Sequence, residues 1–242
     1  MTSHSFDKPL PDPYPPRTIR ILGAGRFGFI AAERLSRRHP EADFLVIDTR
    51  RDRLDEIERA FGLPVLEEDS IPYLRETAPD DDTWLIPAVP VHVAFRWLLD
   101  LLGGIGRARP IEVPRSTDAQ LPNATRAPDG TLYTSFATFL CPDACNEPDD
   151  ICTHTGKARE GNLFERIGRV EVPGMKVIVV RSWQLAPGVG GYPAGTVRDR
   201  LREAFEREGR YLVATSCRCH GVVNALEWSR RRMDEQREEA AP

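Results

Sequence analysis

Short apolar runs alternate along the first half of the chain with longer stretches whose apolar residues recur every three or four positions. A strand is predicted at 17–22 (RTIRIL), leading into Gly23-Ala24-Gly25-Arg26-Phe27-Gly28. A helix follows, with Phe29, Ile30, Ala32 and Leu35 at helical spacing, and ends near His39-Pro40, since proline disfavours helix at the residue before it. Segment 42–48 (ADFLVID) is almost continuously apolar, the pattern of a parallel strand covered on both faces. A second helix at 51–61 presents Leu54, Ile57 and Phe61, with Gly62 as its stop. A short third strand at 64–66, a short helix at 70–76, a fourth strand at 83–89 (TWLIPAV) and a helix at 91–102 come next. That helix carries Val93, Phe95, Trp97, Leu98 and Leu101 and is predicted to end at Gly103-Gly104. A fifth strand is read at 110–113. Strands and helices alternating at this spacing predict an α/β fold with a doubly wound parallel sheet.

The pattern changes at 115–130, which is polar and holds Pro, Asn and Asp, and the domain boundary is placed there. Beyond it we read a strand at 131–140, an irregular stretch at 141–161, a strand at 175–182 and a Gly-rich loop at 185–192. A helix at 196–208, a strand at 211–216 and a final helix at 221–232 complete the pass. The expected organisation is a proline-rich, disordered leader at 1–16, a nucleotide-binding sheet domain at 17–115, and a smaller cysteine-containing α/β region at 116–242.

Composition adds limits rather than a function. The 242 residues are 40% hydrophobic and 29% charged, enough for a core under a well-solvated surface. A net charge of −4 gives no bulk basic excess for nucleic acid. The longest apolar stretch, 84–102, is broken by Pro87, Pro90, His92, Arg96 and Asp100, so no membrane insertion is expected. The N-terminus lacks the apolar core of a secretion signal, and the expected location is the cytoplasm.

The sharpest chemical signal is the G-x-G-x-x-G run at 23–28. It follows a strand, opens a helix, and is answered by an acid, Asp48, at the end of the next strand. Each position has its own task in a Rossmann-type dinucleotide site. Gly23 permits the tight turn, Gly25 lets a pyrophosphate approach the backbone, and Gly28 brings helix and strand close. The free N–H groups at the helix start face the phosphates. Asp48 accepts from the adenosine ribose hydroxyls and repels a 2′-phosphate, which favours NAD(H) over NADP(H). Arg50 and Arg51 pull the other way, because guanidinium groups pair with a 2′-phosphate.

These residues resemble a known family. ILGAGRFGFIAAERL followed by FLVIDTRRDRLDEI is similar to the N-terminal nucleotide-binding domain of TrkA-type potassium-transport regulators. The Arg26-Phe27 pair and the Glu68-Asp69-Ser70 segment carry the likeness, with Glu68 standing where the family usually has Gly. It extends over about residues 17–100 and does not reach the family's small C-terminal ligand-binding domain. It implies NAD(H) or adenine-nucleotide binding by Gly23, Gly25, Arg26, Phe27, Gly28, Asp48, Thr49, Arg50 and Asp69. It also implies a membrane-transport partner and pairing as a homodimer. The Val89-Pro90 turn looks instead like small NAD(P)-dependent dehydrogenases, where such a turn lies near the nicotinamide. That puts Val89 at the cofactor and makes His92 a candidate catalytic acid or base.

All five cysteines fall in the second half. Cys141, Cys145 and Cys152 share one polar loop with His154. Cys217 and Cys219 precede His220 where a strand is expected to end. Three thiols from one loop and one from another suffice for a tetrahedral zinc site or an iron–sulfur cluster, with His154 and His220 as further ligands. The C-x3-C-x6-C spacing matches neither the zinc-ribbon nor the ferredoxin pattern. Buried free thiols are the plainer alternative. Two functions therefore stand from the sequence. One is an NAD(H)-binding regulatory or sensor protein read by a partner, with room for a cysteine-bound metal. The other is an NAD(P)-dependent oxidoreductase, or a subunit of one, with a redox-protein partner and a cysteine-bound metal.

Overall fold

The computed structural model describes residues 16–230. The predicted leader lies almost wholly outside them. The chain runs β1 (Thr18–Leu22), α1 (Arg26–Arg38), β2 (Asp43–Asp48), α2 (Arg51–Phe61), β3 (Val65–Glu67), α3 (Ser70–Thr77), β4 (Trp84–Pro87) and α4 (Val93–Ile105). These match the elements read from the apolar pattern. Next come β5 (Gly106–Ile111), a 3-10 turn (Arg115–Gln120), β6 (Thr125–Arg126), β7 (Leu132–Ser135), α5 (Leu163–Gly168) and β8 (Met175–Arg181). The last elements are β9 (Trp183–Ala186), β10 (Val189–Pro193), α6 (Ala194–Glu206), β11 (Gly209–Ser216) and β12 (His220–Arg230).

Two sheets form. The first has the order β3-β2-β1-β4-β10-β9. Its first four strands are parallel, with Leu22 beside Ile47 and Ile21 beside Ile86, so their C-terminal ends share one edge. β10 runs antiparallel to β4. The second sheet has the order β6-β7-β12-β11-β8, with β5 also paired to β12. β8 and β11 are parallel and the remaining pairs antiparallel.

Side-chain alternation places the layers. Ile19, Ile21, Trp84 and Ile86 face α1 and α2, while Leu22, Ile47 and Leu85 face α3, α4 and α6. α4 and α6 lie between the sheets and meet Ile178, Val180, Val213, Leu226 and Trp228 of the second one, with α3 packed on α4. α5 covers its far side with Leu163, Phe164 and Ile167. The stack is therefore helix, sheet, helix, sheet, helix. α4 is apolar on nearly every side, as a helix covered by two sheets must be. Val93, Ala94, Phe95, Trp97, Leu98 and Leu102 are all buried.

The strand read at 131–140 stops at Ser135, and four further readings need correction. The helix read at 221–232 extends past the described residues, and up to Arg230 the stretch is not a helix. His220–Arg230 is a strand whose Val223 and Ala225 face α5 while Leu226 and Trp228 face α4, so apolar residues on both faces imitate a helical stripe. The loop at 185–192 is the β9–β10 hairpin, completing the first sheet. A Cβ on Gly191 would stand 2.5 Å from Ile86 Cδ1, so glycine here serves close strand packing. The expected fifth strand begins earlier, at Gly106, and joins the second sheet antiparallel to β12. α4 runs through Gly103 and Gly104 to Ile105.

Candidate functional site

The parallel strands of the first sheet end along one edge, and the glycine loop sits there. Gly23 has φ +110°, and a Cβ would fall 2.7 Å from the Ala88 carbonyl oxygen and 2.8 Å from Val89 Cγ1. A Cβ on Gly28 would lie 1.9 Å from the Gly23 oxygen. Only glycine fits either place. Gly25 differs: its open side meets nothing closer than Arg53 Nη1 at 3.3 Å. It is the N-cap of α1, with no side-chain cap and no acid in the first turn. The first N–H groups of α1 thus face an approach with neither a capping oxygen nor a nearby helix carboxylate.

Asp48 closes this edge from β2. Its side chain is buried, with Oδ2 accepting from Ala24 N–H at 2.6 Å and Oδ1 from Arg50 N–H at 2.8 Å. Each oxygen keeps a further lone pair. The two arginines beyond it are already occupied. Arg50 Nε donates to Asp52 at 3.1 Å, while Arg51 holds Asp55 at 2.6 Å and Glu58 at 3.1 Å. The Arg50–Asp52 hydrogen bond raises the arginine pKa and lowers that of the acid. Thr49 is exposed beside them. Asp69 caps α3 by accepting from Ile71 N–H at 2.9 Å. Arg26 and Phe27 are exposed at the loop, the guanidinium 5.5 Å above the ring.

His92 does not face this edge. It is buried at the start of α4 and tied into the second sheet. Nδ1 lies 2.9 Å from Asn224 Oδ1 and Nε2 2.9 Å from Thr215 Oγ1, and Asn224 Nδ2 donates to Thr131 Oγ1. One neutral tautomer, with the proton on Nδ1, satisfies every bond. Burial lowers its pKa to about 4, partly opposed by the Asn224 hydrogen bond. As the expected acid or base it has no free ring nitrogen, and it instead links the two sheets.

The cysteines divide into two groups. Burial raises the Cys141 pKa first, and the nearby Cys145, Cys219 and Cys152 raise it further, so these four thiols share one electrostatic neighbourhood. The Cys145 thiol lies 3.2 Å from Thr153 Oγ1, and the Cys219 sulfur accepts from Arg159 Nη1 at 2.7 Å. A hydrogen bond from Thr155 lowers the Cys152 pKa. Cys217 turns into its own hairpin, accepting from the Cys219 and His220 N–H groups, and burial pushes its thiol up. His220 Nδ1 is 3.7 Å from that sulfur, and burial lowers the imidazole pKa. His154 stacks on Phe139 at 4.2 Å. Among the described residues no three His, Cys, Asp or Glu side chains are arranged to hold a metal ion. The zinc or iron–sulfur centre expected from the cysteines thus has no support in this arrangement, where Arg159 already engages Cys219 and Cys217 bonds within its own turn.

The structure also brings together residues that no local pattern joins. Asp143, between Cys141 and Cys145, forms an ion pair with Arg26 of the glycine loop. The same segment reaches the β11–β12 turn, where Glu147 Oε1 accepts from Arg218 N–H at 2.6 Å. A separation of 117 residues hides the first contact from any reading of spacing. Among the described residues no helix is long and apolar enough to cross a membrane.

Two stretches of the chain match family models. Residues 19–71 match the TrkA-N domain model. Residues 94–229 match a family model described as "Uncharacterized protein, C-terminal domain". An uncharacterized protein of Archaeoglobus fulgidus is 28% identical over 224 residues, covering 86% of this chain and 98% of the relative. No solved structure matches the chain. The chain accordingly belongs to the family defined by that C-terminal domain, and carries a TrkA-N domain ahead of it.

Proposed function

We propose that this protein is an NAD(H)-binding regulatory or sensor protein, in which residues 17–115 hold the nucleotide and 116–242 carry its effect to a partner in the cytoplasm. The observation that carries the reading is the state of Asp48. Its carboxylate is fixed by Ala24 and Arg50 N–H with lone pairs to spare, at the mouth of a loop that excludes side chains at Gly23 and Gly28. That is the arrangement a ribose diol and a pyrophosphate call for. The engagement of Arg50 and Arg51 by acids of α2 supports NAD(H) over NADP(H), since a 2′-phosphate would have to displace Asp52, Asp55 or Glu58. The TrkA-N match supports the regulatory class, and a membrane-transport protein is the partner class it suggests.

Titration of the full chain with NADH and NADPH, followed by nicotinamide fluorescence and calorimetry, tests the reading. NADH is expected to bind at least about tenfold tighter than NADPH. Asp48→Ala should weaken NADH by about 10- to 100-fold, the worth of hydrogen bonds to a charged group. Absence of saturable NADH binding by the folded wild-type chain would overturn it.

A further inference from the structure

The segment Cys141-Pro142-Asp143-Ala144-Cys145 is fastened at the edge where the glycine loop opens. Arg34 of α1 donates to the Asp143 carbonyl oxygen at 2.6 Å and also to that of Pro187. The Cys145 carbonyl accepts from Gly188 N–H at 3.0 Å and from Gln184 Nε2 at 2.5 Å. Gly188 leaves no room for a side chain, since a Cβ would meet the Asp143 oxygen at 2.0 Å. These bonds tether the segment to α1 and to the β9–β10 turn, and the tie to the glycine loop itself comes from the Asp143 side chain. That carboxylate has another partner: it pairs with Arg26, whose side chain is 70% exposed in the middle of the glycine loop.

We propose that the 141–145 segment is a latch on the phosphate loop, closed by the Asp143–Arg26 pair and released when a dinucleotide pyrophosphate takes Arg26. The inference rests on the NAD(H) reading of the glycine loop. Its physical basis is competition. A pyrophosphate brings two negative charges to α1's N-terminus, where Asp143 brings one, and the guanidinium answers the stronger field. Pyrophosphate and carboxylate also repel each other, so nucleotide opens the latch and a closed latch weakens nucleotide by the same factor.

The segment has somewhere to send the change. Two residues beyond Cys145, Glu147 holds the Arg218 N–H, and Arg218 also pairs with Asp149. Arg159, at the far end of the same loop, reaches Cys219. Release at Asp143 therefore loosens a loop that is stitched to the β11–β12 turn. Cys141 and Cys145 flank the latch and are half-buried, and they report its state directly.

The test uses the full chain with NADH as the probe and two independent readouts. NADH affinity is measured by fluorescence for wild type and Asp143→Ala. Alkylation rates of Cys141, Cys145 and Cys217 are followed by mass spectrometry with and without NADH. The substitution removes one exposed ion pair and leaves the main-chain bonds, so folding is expected to persist and is checked by circular dichroism. Asp143→Ala should bind NADH at least about fivefold tighter, the lower end of usual coupling between sites. Saturating NADH should speed alkylation of Cys141 and Cys145 in wild type by a similar factor and leave Cys217 unchanged. In Asp143→Ala the two rates should already be fast without NADH. NADH binding that is indifferent to the substitution, with unchanged cysteine rates, overturns the latch and leaves the nucleotide site standing. No NADH binding by either form overturns the site and the latch together.

Discussion

His92 sits between the sheets as a neutral imidazole with both nitrogens bonded, and its burial has a pH consequence. Its ordinary pKa of 6.5 falls to about 4 in the folded chain. Between those values the unfolded state binds more protons, so stability rises with pH across the window. The contribution is complete above about pH 6.5 and is lost as pH falls toward 4. A shift of this size amounts to about 3 kcal/mol in total. Thermal melts of wild type between pH 4 and 7 should therefore steepen relative to His92→Gln, which has no titrating group there. Parallel pH curves for the two proteins would show that His92 is not the buried base described. The loop glycines make a sharper prediction. Gly28→Ala places a methyl 1.9 Å from a carbonyl oxygen, so the loop must distort. NADH binding should be lost while far-UV circular dichroism is largely retained, and retained affinity would count against the loop geometry.

The elements from β1 to α4 were legible because each carries one recognisable apolar pattern. The strand at Thr18–Leu22 alternates, α2 repeats Leu54 and Ile57 at helical spacing, and Gly62 stops it with φ +66°. The errors fall where a strand is apolar on both faces, as in β12, or where glycines serve close packing rather than a turn, as in the β9–β10 hairpin. Local sequence does not say which surface will cover a strand. The site divides the same way. Asp48 and the glycines were legible from their order along a strand, turn and helix, whereas the Asp143–Arg26 pair and the His92–Asn224 bond are products of tertiary folding. α4 is the element on which both sheets depend. Trp97 on it is 1% exposed, and Trp97→Ala should cost about 3–5 kcal/mol. That is a large share of the ~5–15 kcal/mol typical of a folded domain, and a denaturant midpoint measures it. A loss under 1 kcal/mol would mean the helix layer is not the shared core.

At the scale of the molecule, both sheets take strands from distant parts of the chain. β5 leaves the first sheet's run to pair with β12, and β9 and β10 return to extend the first sheet beside β4. α4 and α6 between them bury side chains against both. Unfolding should therefore be a single transition. Trp84 and Trp183 report the first sheet, Trp97 the middle layer and Trp228 the second sheet, so fluorescence and far-UV circular dichroism should give one midpoint. A fragment covering 16–115 alone should fail to fold, because it lacks β10 beside β4 and β12 beside β5. Two separated transitions, or a well-folded fragment, would show that the layers are independent.

The place of β10 also bears on how the chain is made. While a ribosome extends it, β1 to β4 are complete soon after residue 87, yet the outer side of β4 has no neighbour until residues 189–193 emerge. For about a hundred residues of synthesis, or about 5–20 s at common translation rates, these strands lack the partner they need to fold and offer unpaired N–H and C=O groups to other nascent chains. Newly made protein is exposed to edge-to-edge pairing in that interval, and a chaperone that shields strand edges would act on it then, before the hairpin arrives to close the sheet.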